Sequence, residues 1–258
     1  MLPPSPQYAD APICYAVPSE ATSPRWCAAF AAGCGGSVIE LGPLRPTAPA
    51  AMFGSAKLWR GVVLAAQRTG RPWFYGDHGY FGRFKYYRIT RGAYQHDGRG
   101  EGDRQRLAML NINPRPWRRG GRHVLVCPPD SVFAGLMGVD SRAWLRTTLG
   151  RLTAVTDRPI RVRSRSARAP LVNDLKDAHA LVTMMSNAAV EALLFGVPVI
   201  CTHRCAAQIM GLADPADVEA PAYPYDRERW AAVLAGNQWT LEEMSSGVAW
   251  AALREVAA

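Results

Sequence analysis

Short apolar runs alternate with amphipathic stretches along the first third of the chain. The runs ICYAV (13–17), SVIEL (37–41) and PWFYG (72–76) have the length and composition of buried strands. Helices are predicted between them at 24–35, where proline opens and glycine closes the stretch, and at 55–70, where apolar residues form one stripe. Strands and helices in this order predict a parallel sheet covered by helices.

A second series with the same alternation begins near residue 123. Its apolar runs HVLVCPP, PIRVRS, HALVT and VPVIC predict four more strands. Five more helices are predicted, at 141–152, 170–178, 186–196, 226–235 and 240–253. Between the two series, residues 92–122 are rich in glycine, arginine and proline, which is typical of a loop or linker. The predicted fold class is therefore α/β, with two facing Rossmann-like domains and a ligand site in the cleft between them.

The composition is that of an ordinary globular protein. The chain has 258 residues, of which 48% are hydrophobic and 20% are charged. The sequence contains no apolar run of about 18 residues or more, so no membrane span is expected. The N-terminus shows no signal-peptide pattern, and a cytoplasmic location is expected. The six cysteines match no zinc spacing, so reduced, buried thiols are expected, with a metal clip in CTHRC (201–205) as the alternative.

Positive charge is concentrated in the middle of the chain, whose formal net charge is +9. Residues 81–122 hold 11 basic and 3 acidic side chains, whereas residues 206–258 hold 3 and 8. A field of this sign attracts anions such as phosphates, nucleotide sugars or nucleic acid. The alternative is an ordinary solvated surface without a ligand.

The segment ALVTMMSNAAVEALLFGVPVIC (180–201) contains the most specific pattern. An apolar strand leads to Ser186, whose hydroxyl can cap the helix that follows. The start of that helix offers backbone N–H groups and the positive end of the helix dipole, which both favour a phosphate. Asn187 and Glu191 share a helical face, so the carboxylate can accept hydrogen bonds from ribose hydroxyls. The alternative is a plain crossover helix with Glu191 pointing to solvent.

The motif S-N-x-x-x-E-A-L-x-x-G-x-P-V in this segment resembles the donor-binding segment of GT-B glycosyltransferases. It is most similar to the capsule-sugar transferase group and to small phage-encoded proteins that resemble it, over residues 158–201. The resemblance implies a GT-B-like fold and a nucleotide sugar as co-substrate, with a UDP-sugar expected first. It implies no tightly bound cofactor and no metal. Sugar-nucleotide epimerases share the motif, so an epimerase is an alternative.

The two alternating series and the C-terminal helices divide the chain into three parts, whose roles are those that the resemblance implies. Residues 1–118 are expected to form an acceptor-side α/β domain with a basic aromatic loop. Residues 119–225 are expected to form the nucleotide-sugar-binding domain. Residues 226–258 are expected to form helices that cross back and pack on the N-terminal domain.

Arginines alternate along RPIRVRSRSARAP, residues 158–170. Arg161, Arg163 and Arg165 share one face of the predicted strand. Arg163 and Arg165 lie at its carboxyl end and are predicted to bind the diphosphate of the donor, since the guanidinium fork suits phosphate. The related transferases carry a basic residue or a Lys-Pro-His element here, and this chain lacks the Pro-His. The alternative is a basic edge strand that discourages aggregation.

The stretch WFYGDHGYFGRFKYYRITRG (73–92) contains the second candidate site. Capsule-type transferases have an acidic-Asp-Gly-Phe element at a similar place. The corresponding run here begins with Asp77 and His78, so that histidine replaces the second acid. Transfer to an acceptor hydroxyl needs a base, for which Asp77 is the first candidate and His78 the second. The alternative is a structural turn at the end of a strand.

Aromatic and basic side chains alternate after this run. Such a mixture can stack on bases or sugars and hold phosphates. It predicts a surface for a polyanionic acceptor, formed by Tyr80, Arg83, Lys85, Arg88, Arg118 and Arg119. The alternative is a strand that buries alternate residues such as Phe84 and Tyr86.

These features together predict a metal-independent glycosyltransferase in the cytoplasm. If a phage encodes the chain, this is the cytoplasm of the host cell. The first hypothesis for the acceptor is a hydroxymethylated pyrimidine in phage DNA, because a base that is modified in a duplex must be flipped out and gripped. DNA is then a partner. A capsule-type glycan is the second hypothesis. A non-catalytic nucleic-acid-binding protein, with the basic segment as its whole function, is the alternative from a different class.

Overall fold

The computed structural model describes residues 11–43, 48–54 and 56–255. Its strands are β1 (Ile13–Ala16), β2 (Ser37–Glu40), β3 (Ala50–Phe53), β4 (Trp73–His78), β5 (Tyr87–Arg91), β6 (His123–Cys127), β7 (Ile160–Val162), β8 (Ala178–Thr183) and β9 (Val199–Cys201). Its helices are α1 (Thr22–Cys34), α2 (Ala56–Arg68), α3 (Arg104–Met109), α4 (Ser131–Leu136), α5 (Ser141–Thr153), α6 (Leu171–Leu175), α7 (Ala188–Phe195), α8 (Arg227–Gly236), α9 (Leu241–Ser245) and α10 (Val248–Glu255). The start of the chain, on which the signal-peptide prediction rests, lies outside the described residues, as does the first residue of the predicted helix 55–70.

The chain forms two compact units. Unit 1 contains the described residues up to Tyr94 together with those from Asn237 onwards, and unit 2 contains Gln95–Gly236. Each unit has one sheet of mainly parallel strands with helices against it. The predicted α/β class with two Rossmann-like units is therefore confirmed. Within the described ranges no helix has the length and apolar character that crossing a bilayer requires.

The sheet of unit 1 has the strand order β2-β1-β3-β4-β5. The first four strands are parallel, and β5 pairs antiparallel with β4. Strand β3 was not predicted, because its run AAMF is only four residues long and half alanine, a residue that is depleted in strands. Because parallel strands end at the same edge of a sheet, the residues that follow β1, β3 and β4 share one edge, where α/β sheets bind ligands.

Helices α9 and α10 pack against α1 within unit 1, which confirms the predicted return of the C-terminal helices. Gly33 in α1 permits this packing, since a Cβ atom there would overlap a backbone carbonyl of α9. The helix predicted at 240–253 is divided in two because Gly247 has a φ of 87°, which interrupts the helical backbone. The predicted capping box of Thr240 and Glu243 is present at the start of α9. Helix α8 packs against α3 instead, in unit 2.

The sheet of unit 2 has the order β7-β6-β8-β9, and its strands are all parallel. Its carboxyl edge therefore collects the residues that follow Cys127, Val162, Thr183 and Cys201. Helix α3 lies inside the segment predicted as a loop or linker. It begins because the Asp103 side chain accepts a hydrogen bond from the backbone N–H three residues later, at 2.7 Å.

Candidate functional site

The turn between β8 and α7 is closed by hydroxyl groups. Ser186 Oγ accepts a hydrogen bond from the Ala188 N–H at 3.2 Å, and the Ser186 N–H points to Thr183 Oγ1 at 3.4 Å. The next three N–H groups of α7 bond to the backbone carbonyls of Ser186 and Asn187. Several unpaired N–H groups were predicted at this helix start. Among the described residues, only the Asn187 N–H is left without a partner. The positive end of the helix dipole remains.

Asn187 has an unpaired side-chain atom as well. It occupies the N-cap position of α7 with a helical backbone, and its side chain makes no capping hydrogen bond. Its Oδ1 is buried and has no hydrogen-bond partner among the described residues. An unpaired buried polar group costs about 1–3 kcal/mol. A ligand that donates a hydrogen bond to this amide would remove that cost.

Glu191 lies in the first turn of α7, exposed to solvent. Its negative charge affects the pKa of Cys127, the last residue of β6. Burial raises the pKa of the Cys127 thiol to about 12, while Arg163 lowers this pKa and Asp174 and Glu191 raise it. These three charged groups are therefore close to the end of β6. The predicted donor residues Arg163 and Glu191 both lie at the carboxyl edge of unit 2.

The two predicted donor-binding arginines differ in their surroundings. The guanidinium of Arg163 donates to the Asp174 carboxylate and to the Ala169 carbonyl, and its side chain is only 15% exposed. Arg165 is 85% exposed and lies 3.9 Å from the nearest carboxylate oxygen of Asp130. A loose ion pair of this kind is worth little and is easily exchanged. Arg165 can therefore turn to an incoming anion, whereas Arg163 is already neutralised.

The residues that follow β9 continue its backbone hydrogen bonds with the residues at the end of β8. The Thr202 N–H donates to the Thr183 carbonyl and the His203 N–H to the Met184 carbonyl, both at 3.0 Å. The sequence pointed here only to a metal clip, and the described ranges hold no group of three His, Cys, Asp or Glu side chains placed to bind a metal. The thiols of Cys201 and Cys205 are buried and hydrogen-bonded to each other. His203, which the sequence indicated only as part of that metal clip, is a candidate residue of the donor site.

In unit 1, Asp77 forms an ion pair with Arg88 across β4 and β5. The two residues are register partners, and Arg88 Nη2 lies 2.6 Å from Asp77 Oδ2. Arg88 is 3% exposed, donates through Nη1 to the His78 carbonyl at 3.1 Å, and stacks on the Tyr80 ring at 4.9 Å. The Asp77 carboxylate therefore neutralises a buried charge. Arg88, which was predicted on the acceptor surface, lies inside the unit.

His78 follows Asp77 at the end of β4. Its ring is in contact with three aromatic rings at centroid distances of 4.7–5.7 Å, those of Phe53, Phe84 and Tyr87. Burial lowers the pKa of His78; Asp77 acts to raise this pKa, and Arg83 and Arg88 lower it further. Within the described residues its Nε2 forms no hydrogen bond, and this atom is not among the buried ones. Its Nδ1 is buried without a hydrogen-bond partner among the described residues, so Nε2 is the accessible nitrogen, and the lowered pKa favours the neutral ring at pH 7.

Two residues distant in sequence support the same edge of unit 1. Gln238, fully buried, accepts from the Phe81 N–H at 3.0 Å and donates to the Phe81 carbonyl at 3.1 Å. It thereby holds the loop that follows His78. Glu20 lies near Gly54 at the end of β3, where a Cβ atom on the glycine would be 2.7 Å from Glu20 Oε2. Neither residue was predicted as part of the site, because their neighbours here come from distant or unpredicted elements.

The predicted acceptor residues belong to two different units. Arg83 and Lys85 are exposed and stack on the rings of the residues that follow them, at 5.0 Å and 5.5 Å. Between them, Phe84 is 68% exposed with a φ of 72°, a strained conformation for a bulky side chain. Arg118 and Arg119 belong to unit 2.

Arg118 and Arg119 lie near the C-terminal end of α7. The Arg118 N–H donates to the carbonyl of Gly196 at 2.8 Å, and its guanidinium lies over the Phe195 ring at 5.4 Å. Arg119 lies over the Tyr223 ring at 4.4 Å. A helix that follows a parallel strand ends at the opposite edge of the sheet. Arg118 and Arg119 are therefore at the amino edge of unit 2, away from the turn that begins α7.

The likeness to known proteins is structural. No protein-family model matches the sequence, and no curated protein matches it either. Among solved structures, the chain is similar to KpsC of Thermosulfurimonas dismutans, described as a beta Kdo 2,4 transferase. The identity is 13% and the TM-score is 0.52, and the match covers 88% of this chain and 90% of that one. At this identity the likeness shows a shared fold.

Proposed function

We propose that this protein is a glycosyltransferase that binds a nucleotide sugar through unit 2 and activates an acceptor hydroxyl with a base from unit 1. The observation that carries the proposal is the turn into α7. There the unpaired N–H and the buried, unpaired Oδ1 of Asn187 lie beside Ser186 at the positive end of a helix. The shared fold with KpsC, which is described as a Kdo transferase, supports sugar transfer.

The donor roles follow from the contacts at this edge. The phosphate is bound at the start of α7 by the Asn187 N–H and the Ser186 hydroxyl. The Asn187 amide and the Glu191 carboxylate accept from the nucleoside, with ribose hydroxyls on Glu191. Arg165 pairs with the diphosphate, while Arg163 with its Asp174 partner shapes the site. A UDP-sugar is the first donor to test, and no metal takes part.

His78 is the better candidate for the base. Its lowered pKa keeps the ring neutral at pH 7, which is the form that accepts a proton. Asp77 is bound to Arg88, and taking up a proton would leave the buried guanidinium without its counter-charge. In the reaction, the acceptor hydroxyl gives its proton to His78 as its oxygen bonds to the anomeric carbon. The bond from that carbon to the phosphate oxygen breaks, and the nucleotide leaves with the electron pair.

For the acceptor, the exposed residues Arg83, Phe84 and Lys85 favour a ring-bearing anion. An aromatic face stacks on a sugar or a base, and the two cations attract negative charge. A glycan agrees with the likeness to KpsC. The hydroxymethylated pyrimidine of DNA is the second hypothesis, which the 11 basic residues of 81–122 favour.

A donor screen by thermal unfolding tests the proposal. The protein is heated with UDP, GDP, CMP and ADP sugars, and a ligand at 100 times its Kd adds about 2.7 kcal/mol to the stability of the folded state. We expect one nucleotide sugar to raise the Tm of the wild type, and Glu191→Ala to abolish the shift. Glu228→Ala is the matched control, because Glu228 is also an exposed glutamate in the first turn of a helix.

The acceptor and the alternatives are decided with the same protein. Sugar transfer to duplex DNA that contains 5-hydroxymethylated pyrimidines is compared with transfer to a capsule-type glycan. Conversion of the nucleotide sugar into an isomer without an acceptor would indicate an epimerase. Absence of any Tm shift, together with salt-sensitive binding to DNA, would contradict the transferase and support the nucleic-acid-binding alternative.

A further inference from the structure

A chain of hydrogen bonds ends on His203. Trp144 Nε1 on α5 donates to Thr202 Oγ1 at 2.8 Å, and Thr202 Oγ1 lies 3.1 Å from His203 Nδ1. An indole N–H can only donate. The Thr202 hydroxyl therefore accepts from Trp144, and its own proton has one acceptor among the described residues, His203 Nδ1. A neutral ring that accepts at Nδ1 carries its proton on Nε2.

The same residue is placed at the candidate donor site. The His203 N–H is bonded to the Met184 carbonyl, two residues before Ser186, so the ring follows β9 at the carboxyl edge of the unit 2 sheet. His203 is half-buried, and its Nε2 forms no hydrogen bond within the described ranges and is not among the buried atoms. Burial lowers the pKa of His203, which keeps the ring neutral at pH 7. With Nδ1 accepting from the Thr202 hydroxyl, the exposed Nε2 of His203 is an N–H donor.

We propose that His203 is a donor-binding residue whose Nε2–H donates a hydrogen bond to a phosphate oxygen of the nucleotide sugar, with Trp144 and Thr202 as the positioning residues that set its tautomer. This inference rests on the proposed function. As the sugar–phosphate bond breaks, negative charge grows on the phosphate, and a preorganised donor stabilises it more strongly. The ring transfers no proton in this role.

The tautomer is measured first, in the free protein. A long-range proton–nitrogen NMR spectrum of protein with labelled histidine distinguishes Nε2–H from Nδ1–H. We expect Nε2–H for His203 in the wild type and a mixture of both forms in Thr202→Val. Thr153→Val, on the exposed surface of α5, is the matched control and should keep the wild-type form. Nδ1–H in the wild type would overturn the proposed role of Trp144 and Thr202.

Binding is measured next by calorimetry with UDP, GDP, CMP and ADP and with the corresponding nucleosides. His203→Phe should weaken binding of the preferred nucleotide about tenfold or more, as expected for a lost hydrogen bond to a charged group, and leave nucleoside binding unchanged. His203→Gln, which keeps an N–H donor, should recover most of the affinity. Unchanged nucleotide affinity in a folded His203→Phe protein would show the inference to be wrong while the donor site stands. If the wild type binds none of the four nucleotides, the proposed function itself fails.

Discussion

Replacing Asp77 separates its two possible roles, as counter-ion and as base. Arg88 is 3% exposed, and Asp77 is its carboxylate partner at 2.6 Å. The other polar contact of its guanidinium is with the His78 carbonyl, and its Nε is buried without a partner among the described residues. Asp77→Asn therefore leaves a buried positive charge with neutral acceptors alone.

The size of the effect can be worked out from this geometry. Two unit charges about 4 Å apart interact by about 4 kcal/mol at an effective dielectric constant of 20. Removing one partner of a buried pair costs about 3–5 kcal/mol in proteins. Because the Asp77 side chain is 29% exposed, water partly replaces the lost carboxylate. We therefore expect Asp77→Asn to lower the free energy of unfolding by about 2–4 kcal/mol.

Urea unfolding and a transfer assay measure the two roles separately. With a slope of about 2 kcal/mol per molar urea, the middle of the usual range, the midpoint should fall by about 1–2 M. The double variant Asp77→Asn/Arg88→Met removes the charge together with its partner, and it should recover most of the stability. If His78 is the base, the double variant also recovers activity.

Two results would refute this reasoning. A loss of stability below about 0.5 kcal/mol in Asp77→Asn, the range of ordinary surface substitutions, would show that Arg88 does not depend on the pair. A stable double variant whose activity is still about 100-fold or more below the wild type would return the base to Asp77.

Three further predictions concern unit 1. The lowered pKa of His78 places the acid limb of kcat/KM below pH 6.5, because the neutral base is lost only as pH falls through that pKa; a limb above pH 6.5, or activity retained in His78→Ala, would contradict this. Gln238→Met leaves the Phe81 N–H and carbonyl unpaired and should cost about 2–4 kcal/mol in urea unfolding, whereas the exposed Gln105→Met should stay within about 0.5 kcal/mol. Gly33→Ala should lower the Tm, because its Cβ meets a backbone carbonyl of α9 and overpacking costs about 1–3 kcal/mol; an unchanged Tm would show that α9 can shift.

Sequence periodicity was a good guide wherever an element is long or its ends carry their own signals. The helix predicted at 55–70 is α2, which the spacing of its apolar residues and its closing glycine indicate. The capping box that begins α9 is likewise local, because its two residues are three positions apart. The order of strands and helices then limits the fold to parallel sheets, since parallel neighbours need a crossover between them.

Contacts between distant residues could not be predicted from those patterns. Gln238 holds Phe81 across 157 positions, and Trp144 reaches Thr202 across 58. Arg88 was predicted on the acceptor surface, but it is the buried ion-pair partner of Asp77, because the register of β4 and β5 places the two residues opposite each other.

The chemistry of the candidate site shows the same division. The sequence alone determined which residue types stand at the ends of the strands and at the start of α7, because alternation and capping are properties of neighbouring positions. Only the tertiary structure decided which of these groups remain available to a ligand. A carboxylate or guanidinium is neutralised where the fold brings a partner within hydrogen-bond distance, and it stays available where no partner is close. Strand order and packing decide which of the two occurs.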